Sequence, residues 1–150
     1  LAAKHLLERG CEEFFIFSQL PQRLDGFRQE LLSECIPCQE FEENDEDFQQ
    51  VVQYCLQSDK CIGIFAGAGR VAARLHSMLL LAGLVPGKRI KLLGYDDLYL
   101  SSHLSPAICN VSQPFQQAAA LAVEKLVDCI YDRPVKSEML KPSLVFRETT

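Results

Sequence analysis

Three short segments of the chain carry side chains that could bind a small polar ligand. Asp96 and Asp97 follow an apolar run, and a carboxylate there would accept hydrogen bonds from ligand hydroxyls. Arg23 stands just before a predicted helix, where its planar guanidinium could donate hydrogen bonds to hydroxyls or to a carboxylate. The third segment, Gly-Ala-Gly-Arg at 67–70, opens another predicted helix. These residue types favour binding of a small polar molecule.

Each of these side chains also has a structural interpretation that the sequence leaves open. Asp96 could equally form a turn at the end of its strand, and for Asp97 the turn is the favoured interpretation. Arg23 could be a solvated cation in the first helical turn, and its spacing alone favours that interpretation.

Residues 67–72 form a GxGxxA pattern between a predicted strand and a predicted helix. In that context exposed N–H groups and the helix dipole would face an anion, as in a dinucleotide or phosphate site. A dinucleotide site would also have an acid about 20 residues after the glycines to bind a ribose hydroxyl. No acid stands at that distance at the end of the next predicted strand, and Asp96 lies further along the chain. A tight turn of small residues that lets the backbone pack is therefore favoured, and a nucleotide-using enzyme is a third hypothesis.

The side chains that serve catalysis or metal binding are not arranged for either. No Ser-His-Asp triad can be assembled from the three histidines, His5, His76 and His103. Neither the GxSxG nor the HExxH motif occurs. Cys35 and Cys38 form a CxxC pair, but a zinc site would need a second pair or nearby histidines. We therefore expect a binding protein rather than an enzyme, with no metal and no cofactor.

Charge and hydropathy argue against several further classes of protein. The formal net charge is −5, and acids concentrated in 40–47 account for it. That segment lacks the central glycine of an EF-hand, so it is interpreted as a solvated loop. No basic stripe for nucleic acid is present, and the longest apolar run, Met78–Val85, is too short to cross a membrane. No signal peptide is recognised, and an odd number of scattered cysteines favours the cytoplasm.

Apolar periodicity predicts strands that alternate with helices along the chain. Continuous apolar runs such as 14–17 are typical of strands buried on both faces of a parallel sheet. The alternation therefore predicts a Rossmann-like, doubly wound α/β fold with helices on both faces. Strands are predicted at 14–17, 36–41, 61–66, 89–94, 107–112 and 144–146, and helices at 4–9, 24–34, from Asp45 or Asp47 to about Leu56, 71–82 and 114–132.

In sheets of this kind, ligands bind at the carboxyl ends of the strands. The segments 18–23, 66–70 and 94–97 are three such ends. We therefore expect them to aim polar groups into one crevice.

Five motifs occur along the chain in a fixed order: AAKHLLERG at 2–10, RLDGF at 23–27, AGLVP at 82–86, LGYDD at 93–97 and LVFRETT at 144–150. In order and spacing they resemble the effector-binding core of the lactose-repressor/galactose-repressor (LacI/GalR) transcriptional regulators. The resemblance implies a fold like the type I periplasmic sugar-binding proteins, with two Rossmann-like lobes around a cleft.

The resemblance also implies how the chain is divided between the lobes. Residues 1–10 would end the first lobe, and 11–112 would form the second. Residues 113–132 would be the helix that returns to the first lobe, followed by a C-terminal strand segment at 133–150. The family's DNA-binding helix-turn-helix would lie outside this chain, so DNA would be a partner only through that domain.

Carried over by motif, Arg23 and Asp96 match the arginine and the aspartate with which the family contacts its effector. Ala68 and Gly69 stand where the family usually has Asn-Asp, which departs from the pattern for a free sugar. The resemblance therefore implies a sugar or sugar phosphate as effector. A phosphorylated or otherwise anionic effector held by residues 67–70, which include Ala68 and Arg70, is one hypothesis.

The resemblance further implies a homodimer in which effector binding changes lobe closure and the spacing of the DNA-binding domains. Its interface would use the outer face of the helix 71–82 and the loop 98–104. The runner-up function is a periplasmic sugar-binding protein for transport or chemotaxis. No membrane partner is expected. The implied interface residues are Ala73, Ser77, Leu80, Tyr99, Leu100 and Leu104.

Overall fold

A six-stranded sheet and five α-helices make up the structure, a computed structural model that describes residues 1–150. The elements in chain order are α1 (Ala2–Glu8), β1 (Glu13–Phe17), α2 (Pro21–Ser33), β2 (Cys38–Phe41), α3 (Asp45–Gln57), β3 (Ile62–Ala66), α4 (Gly69–Leu81), β4 (Ile90–Tyr95), a 3₁₀ turn (Tyr99–Ser102), β5 (Cys109–Ser112), α5 (Phe115–Ile130) and β6 (Ser143–Val145).

The sheet has the strand order β2-β1-β3-β4-β5-β6. The first five strands of this order are parallel, and β6 pairs with β5 in the antiparallel sense. Strand order reverses beside β1, because β2 lies on one side of it and β3 on the other. The predicted α/β class is confirmed.

Helices cover both faces of this sheet because its strands carry apolar residues at successive positions. In β1, Phe14 and Ile16 pack in the core beneath α1 and α2, whereas Phe15 and Phe17 pack in the core beneath α3 and α4. Adjacent residues of a strand point to opposite faces, so one apolar run serves two cores.

The acidic segment is not the solvated loop that was predicted. Its first residues end β2, and Asp45, Glu46 and Asp47 form the first turn of α3. The N-cap is Asn44 rather than Asp45 or Asp47, and its side chain accepts a hydrogen bond of 2.9 Å from the backbone N–H of Asp47. Acids are favourable in a first helical turn because the helix dipole is positive there.

Helix α5 differs from the other helices because none of its residues is buried. Its large apolar side chains face solvent instead. An isolated helix of this length is marginal in water, and exposed apolar faces of this size usually mark contact surfaces. The exposed residues on and just after α5 include Phe115, Val123, Leu126, Val127, Ile130 and Tyr131.

The last residues of the chain return to the sheet between β4 and β5. Thr149 is fully buried, and its hydroxyl donates a hydrogen bond of 2.6 Å to the carbonyl of Leu92. The same oxygen accepts a bond of 2.9 Å from the N–H of Cys109. These bonds fix Thr149, near the end of the C-terminal motif, to β4 and β5.

Candidate ligand-binding site

Arg23 lies in the first turn of α2, which begins at Pro21. Its guanidinium stacks on the ring of Tyr95, 3.6 Å from the centroid. It also donates a hydrogen bond to the carbonyl of Gly67 and lies 4.0 Å from Oδ1 of Asp96. These contacts come from the ends of β3 and β4. Arg23 is therefore not the solvated cation that its spacing favoured.

Asp96 follows β4 in a left-handed backbone conformation, with φ of +75°. Its N–H donates a hydrogen bond of 2.9 Å to Val111 on β5, which stabilises that conformation. The side-chain amide of Gln113 donates 2.7 Å to Oδ1 of Asp96, and no protein group donates to Oδ2. Left-handed residues other than glycine are uncommon and concentrate at functional sites.

Asp97 has a structural role, as favoured from its sequence. Its two carboxylate oxygens receive hydrogen bonds of 2.6 and 3.1 Å from the guanidinium of Arg147. Arg147 also donates 2.7 Å to the carbonyl of Ile108. A two-point arrangement of this kind is among the strongest hydrogen-bonded ion pairs, and it fixes the C-terminal segment beside β5.

The glycines at 67–70 are explained by close packing. A Cβ atom on Gly67 would lie 2.6 Å from Oγ of Ser18, and one on Gly69 would lie 2.6 Å from a methyl of Leu98. The N–H of Gly67 already donates 2.6 Å to the carbonyl of Phe17. The geometry therefore supports the tight-turn interpretation and gives no support to a dinucleotide site at this corner.

Ala68 and Arg70 make no contact with Asp96, although they closely follow Gly67, whose carbonyl accepts the hydrogen bond from Arg23. Ala68 is half-buried at the N-cap of α4 and offers no side-chain hydrogen bond. Arg70 points to the end of β2, where it pairs with the carboxylate of Glu43. Arg23 and Asp96 are thus brought together, whereas Arg70 lies in a different ion pair.

Sequence reasoning missed Tyr95 and Gln113 at this site. Gln113 directly follows β5, so the rule that found Asp96 at the end of β4 would have found it as well. Tyr95 supplies an apolar ring beside the charges. A cavity of about 190 Å³ adjoins both Arg23 and Tyr95, and its other lining residues are Leu1, Ala2, Ala3, Gln22, Gly26, Phe27, Phe65, Val111 and Pro142.

This combination of groups suits a small hydroxylated molecule. An aromatic and aliphatic wall can contact the apolar face of a ring, while a few fixed polar groups orient its hydroxyls. Arg23 and the amide of Gln113 are donors, and Oδ2 of Asp96 is a free acceptor. The site has no nucleophile paired with a base.

The cysteine pair that had a suggestive spacing has no reactive environment. Burial raises the pKa of the Cys38 thiol to about 12, and the carboxylate of Glu40 acts in the same direction. A thiol of that pKa is a poor nucleophile and metal ligand at neutral pH. Cys35 is exposed and all cysteines are free, so coincidence remains the better interpretation of this motif.

The residues implied for a dimer interface lie on one side of α4 and on the loop that follows β4. Tyr99 is 82% exposed and Leu100 is also exposed, whereas Leu104 packs against the core and leaves less free surface than expected. On α4, Ser77 is exposed, and Ala73 and Leu80 are half-buried. The most exposed apolar residue there is Leu81, at 86%. The interface itself stays a prediction.

The model of one protein family, described as the periplasmic binding protein-like domain, matches residues 3–150. The chain belongs to this family. Among curated relatives of this periplasmic binding protein-like domain, the ribose operon repressor of Halalkalibacterium halodurans is 29% identical. That alignment covers 100% of the chain and 49% of the repressor. The chain therefore spans about half the length of the curated relatives it matches.

Solved structures agree with the fold of this domain. A dimeric Lac repressor with a C-terminal deletion superposes with a TM-score of 0.84 at 24% identity, over 100% of this chain and 59% of that one. A periplasmic binding protein/LacI transcriptional regulator of Alkaliphilus metalliredigens, complexed with D-xylulofuranose, gives 0.83 at 22% identity, over 99% and 60%. The family match and the ribose operon repressor confirm the resemblance to the LacI/GalR effector-binding core, and the solved structures agree with its fold. No helix is long and apolar enough to cross a membrane.

Proposed function

We propose that this chain is the ligand-sensing part of a LacI/GalR-like transcription regulator and that it binds a sugar or a related small polar molecule. Two of the proteins named above support this proposal, because the Halalkalibacterium relative is a ribose operon repressor and the first solved structure is a Lac repressor. The regulator would act in the cytoplasm as a homodimer, and a helix-turn-helix domain outside this chain would contact DNA.

The observation that carries the proposal is the convergence of four polar or aromatic side chains from different strand ends. Arg23 stacks on Tyr95, and Asp96 lies between Arg23 and Gln113. These contacts join segments distant in sequence at the sheet edge where α/β folds bind ligands. A strained residue, Asp96, sits at their centre.

The mechanism would be closure of the first lobe over this edge of the second. The ligand would bind one lobe arrangement more tightly and so shift the population towards it. The unburied face of α5 supports this view, because a helix with no buried residue needs a covering surface. In a dimer, the change would alter the distance between two DNA-binding domains.

The test is a titration of the isotope-labelled chain with neutral pentoses and hexoses, followed by NMR. We expect amide shifts at Arg23, Tyr95 and Asp96, with dissociation constants of roughly millimolar size because one lobe supplies only part of the contacts. Asp96→Asn should weaken binding by about tenfold or more, the equivalent of about 1.4 kcal/mol. Asp59→Asn, the same substitution at an exposed residue between α3 and β3, is the control. Shifts elsewhere, or unchanged affinity in Asp96→Asn, would refute the proposal.

A periplasmic sugar-binding protein is the second candidate. The description of the family and the name of the Alkaliphilus relative favour it, since both include periplasmic binding proteins. Sequencing the gene upstream of residue 1 distinguishes the two functions. A helix-turn-helix there supports the regulator, and a signal peptide supports the periplasmic protein.

A further inference from the structure

We propose that the ligand site selects uncharged molecules and that Glu43 enforces this selection by neutralising Arg70. This inference deepens the proposed function and rests on it. It decides between the two effector classes that the sequence left open, a sugar and a sugar phosphate.

The ion pair between Glu43 and Arg70 is unequal in its exposure. The Glu43 side chain is only 3% exposed, whereas that of Arg70 is 66% exposed. A buried carboxylate is strongly unfavourable without a hydrogen-bonded cation, so Glu43 requires Arg70. Arg70 is the second residue of α4, a position where a free arginine and the helix N-terminus would together attract a phosphate. Glu43 supplies a carboxylate for Arg70 there in place of a ligand anion.

The other cations on these two helices are paired as well. Helices α2 and α4 contain four arginines and no lysine. The partners are Asp96 for Arg23 at 4.0 Å, Glu40 for Arg28, Glu43 for Arg70 and Asp45 for Arg74 at 3.1 Å. Each arginine of α2 and α4 therefore has a carboxylate within 4.0 Å that offsets its charge, so none carries an unbalanced positive charge for a phosphate ester.

The acids that remain make this edge of the sheet negative. Glu42 and Asp47 have no ion-pair partner, and both line a cavity of about 390 Å³ at the end of β2. Ser18 lines the same cavity and packs against Gly67, whose carbonyl binds Arg23. The negative cavity is thus adjacent to the ligand site. A phosphate ester would be repelled there, whereas a neutral polyol would not.

The experiment compares D-ribose, D-ribose 5-phosphate and inorganic phosphate as NMR titrants of the labelled chain at constant ionic strength. The variants are Glu43→Gln, Glu43→Gln/Arg70→Gln and Glu46→Gln. Glu46→Gln is the matched control because it removes the same charge from an exposed, unpaired residue of α3.

We expect the wild-type chain to bind D-ribose at least tenfold more tightly than its phosphate ester. Glu43→Gln should leave D-ribose binding unchanged and strengthen binding of the ester and of inorganic phosphate at least tenfold. The double variant should lose that gain, and Glu46→Gln should resemble wild type. Tighter binding of the ester by wild type, an unchanged preference in Glu43→Gln, or a gain that survives in the double variant would overturn the inference.

Two further readouts keep the outcomes distinct. If neither sugar affects the wild-type chain, the proposed function fails, and the inorganic-phosphate titration of Glu43→Gln still decides the role of Glu43. If Glu43→Gln does not fold, Glu42→Gln/Asp47→Asn lowers the negative charge without touching the buried pair. That variant should bind the ester at least threefold more tightly, and an unchanged affinity would count against the inference.

Discussion

Two polar clusters meet at the end of β4, and they differ in how completely their groups are paired. In the tail anchor, formed by Asp97, Arg147 and Thr149, both carboxylate oxygens and the buried hydroxyl have short hydrogen bonds. In the ligand site, Arg23 and Asp96 stand 4.0 Å apart and one carboxylate oxygen has no protein donor. Similar residue types therefore stabilise the fold in one cluster and stay available to a ligand in the other.

The largest expected effect is in the tail anchor. Thr149→Val keeps the side-chain shape but removes the partner of the Leu92 carbonyl and of the Cys109 N–H. Leaving two buried groups unpaired should lower the free energy of unfolding by about 2–3 kcal/mol. Chemical denaturation measures this, with the exposed Ser143→Ala as control. A loss below about 0.5 kcal/mol would show that the anchor is not needed for stability.

The neighbouring aspartates allow the sharpest comparison, because the same substitution is made at adjacent positions with positive φ. Asp97→Asn weakens the pair with Arg147 and should lower the free energy of unfolding by about 1–2 kcal/mol while leaving sugar affinity unchanged. Asp96→Asn should change stability by less than about 0.5 kcal/mol and reduce sugar affinity instead. Denaturation measures the stability of both variants, and NMR titration measures their sugar affinity. A stability loss in Asp96→Asn or an affinity loss in Asp97→Asn would contradict this comparison.

Backbone strain in the ligand site gives a smaller effect. Asp96 has φ of +75°, where an alanine is strained and a glycine is not. Both Asp96→Gly and Asp96→Ala remove the bond from Gln113, so their difference isolates the backbone. We expect the glycine variant to be the more stable by about 1 kcal/mol. If the two variants unfold at the same denaturant concentration, the backbone at position 96 is not strained.

The smallest expected effect is a pH dependence next to the tail anchor. Burial lowers the pKa of His5, whose ring is bonded to the hydroxyl of Thr150. The unfolded chain then binds the proton more readily, so His5 stabilises the fold fully above about pH 6.5 and progressively less as the pH falls below that value. Melting temperatures from pH 7.5 to 5.5 should fall less steeply in His5→Gln than in wild type. If the melting temperatures of the two proteins fall in parallel with pH, His5 makes no pH-dependent contribution to stability.

The sequence predicted the elements well where strands such as β1 and β3 are continuous apolar runs and where helices such as α3 and α4 keep one apolar stripe. It identified Arg23 and Asp96 because the carboxyl end of a buried strand is a general location for ligands. It placed the cap of α3 one or three residues too late, at Asp45 or Asp47, since asparagine and aspartate are equally good capping residues by type.

The remaining features depend on contacts between distant residues. A GxGxxA pattern cannot show whether the space beside each glycine is filled by a phosphate or, as here, by Ser18 and Leu98. The pairing of Arg70 with Glu43 joins the start of α4 to the end of β2, and no local pattern encodes it. Gln113 was missed because the carboxyl-end rule was not extended to β5.

The contact between Gly69 and Leu98 constrains how this corner can change during evolution. An aspartate at 69, as in the Asn-Asp pair usual for the family, would place its Cβ 2.6 Å from the Leu98 methyl and 3.2 Å from the carbonyl of Tyr95. A smaller residue at 98 would have to arise first or together with it. In an alignment of close relatives, positions 69 and 98 should therefore covary, with a large side chain at only one of them.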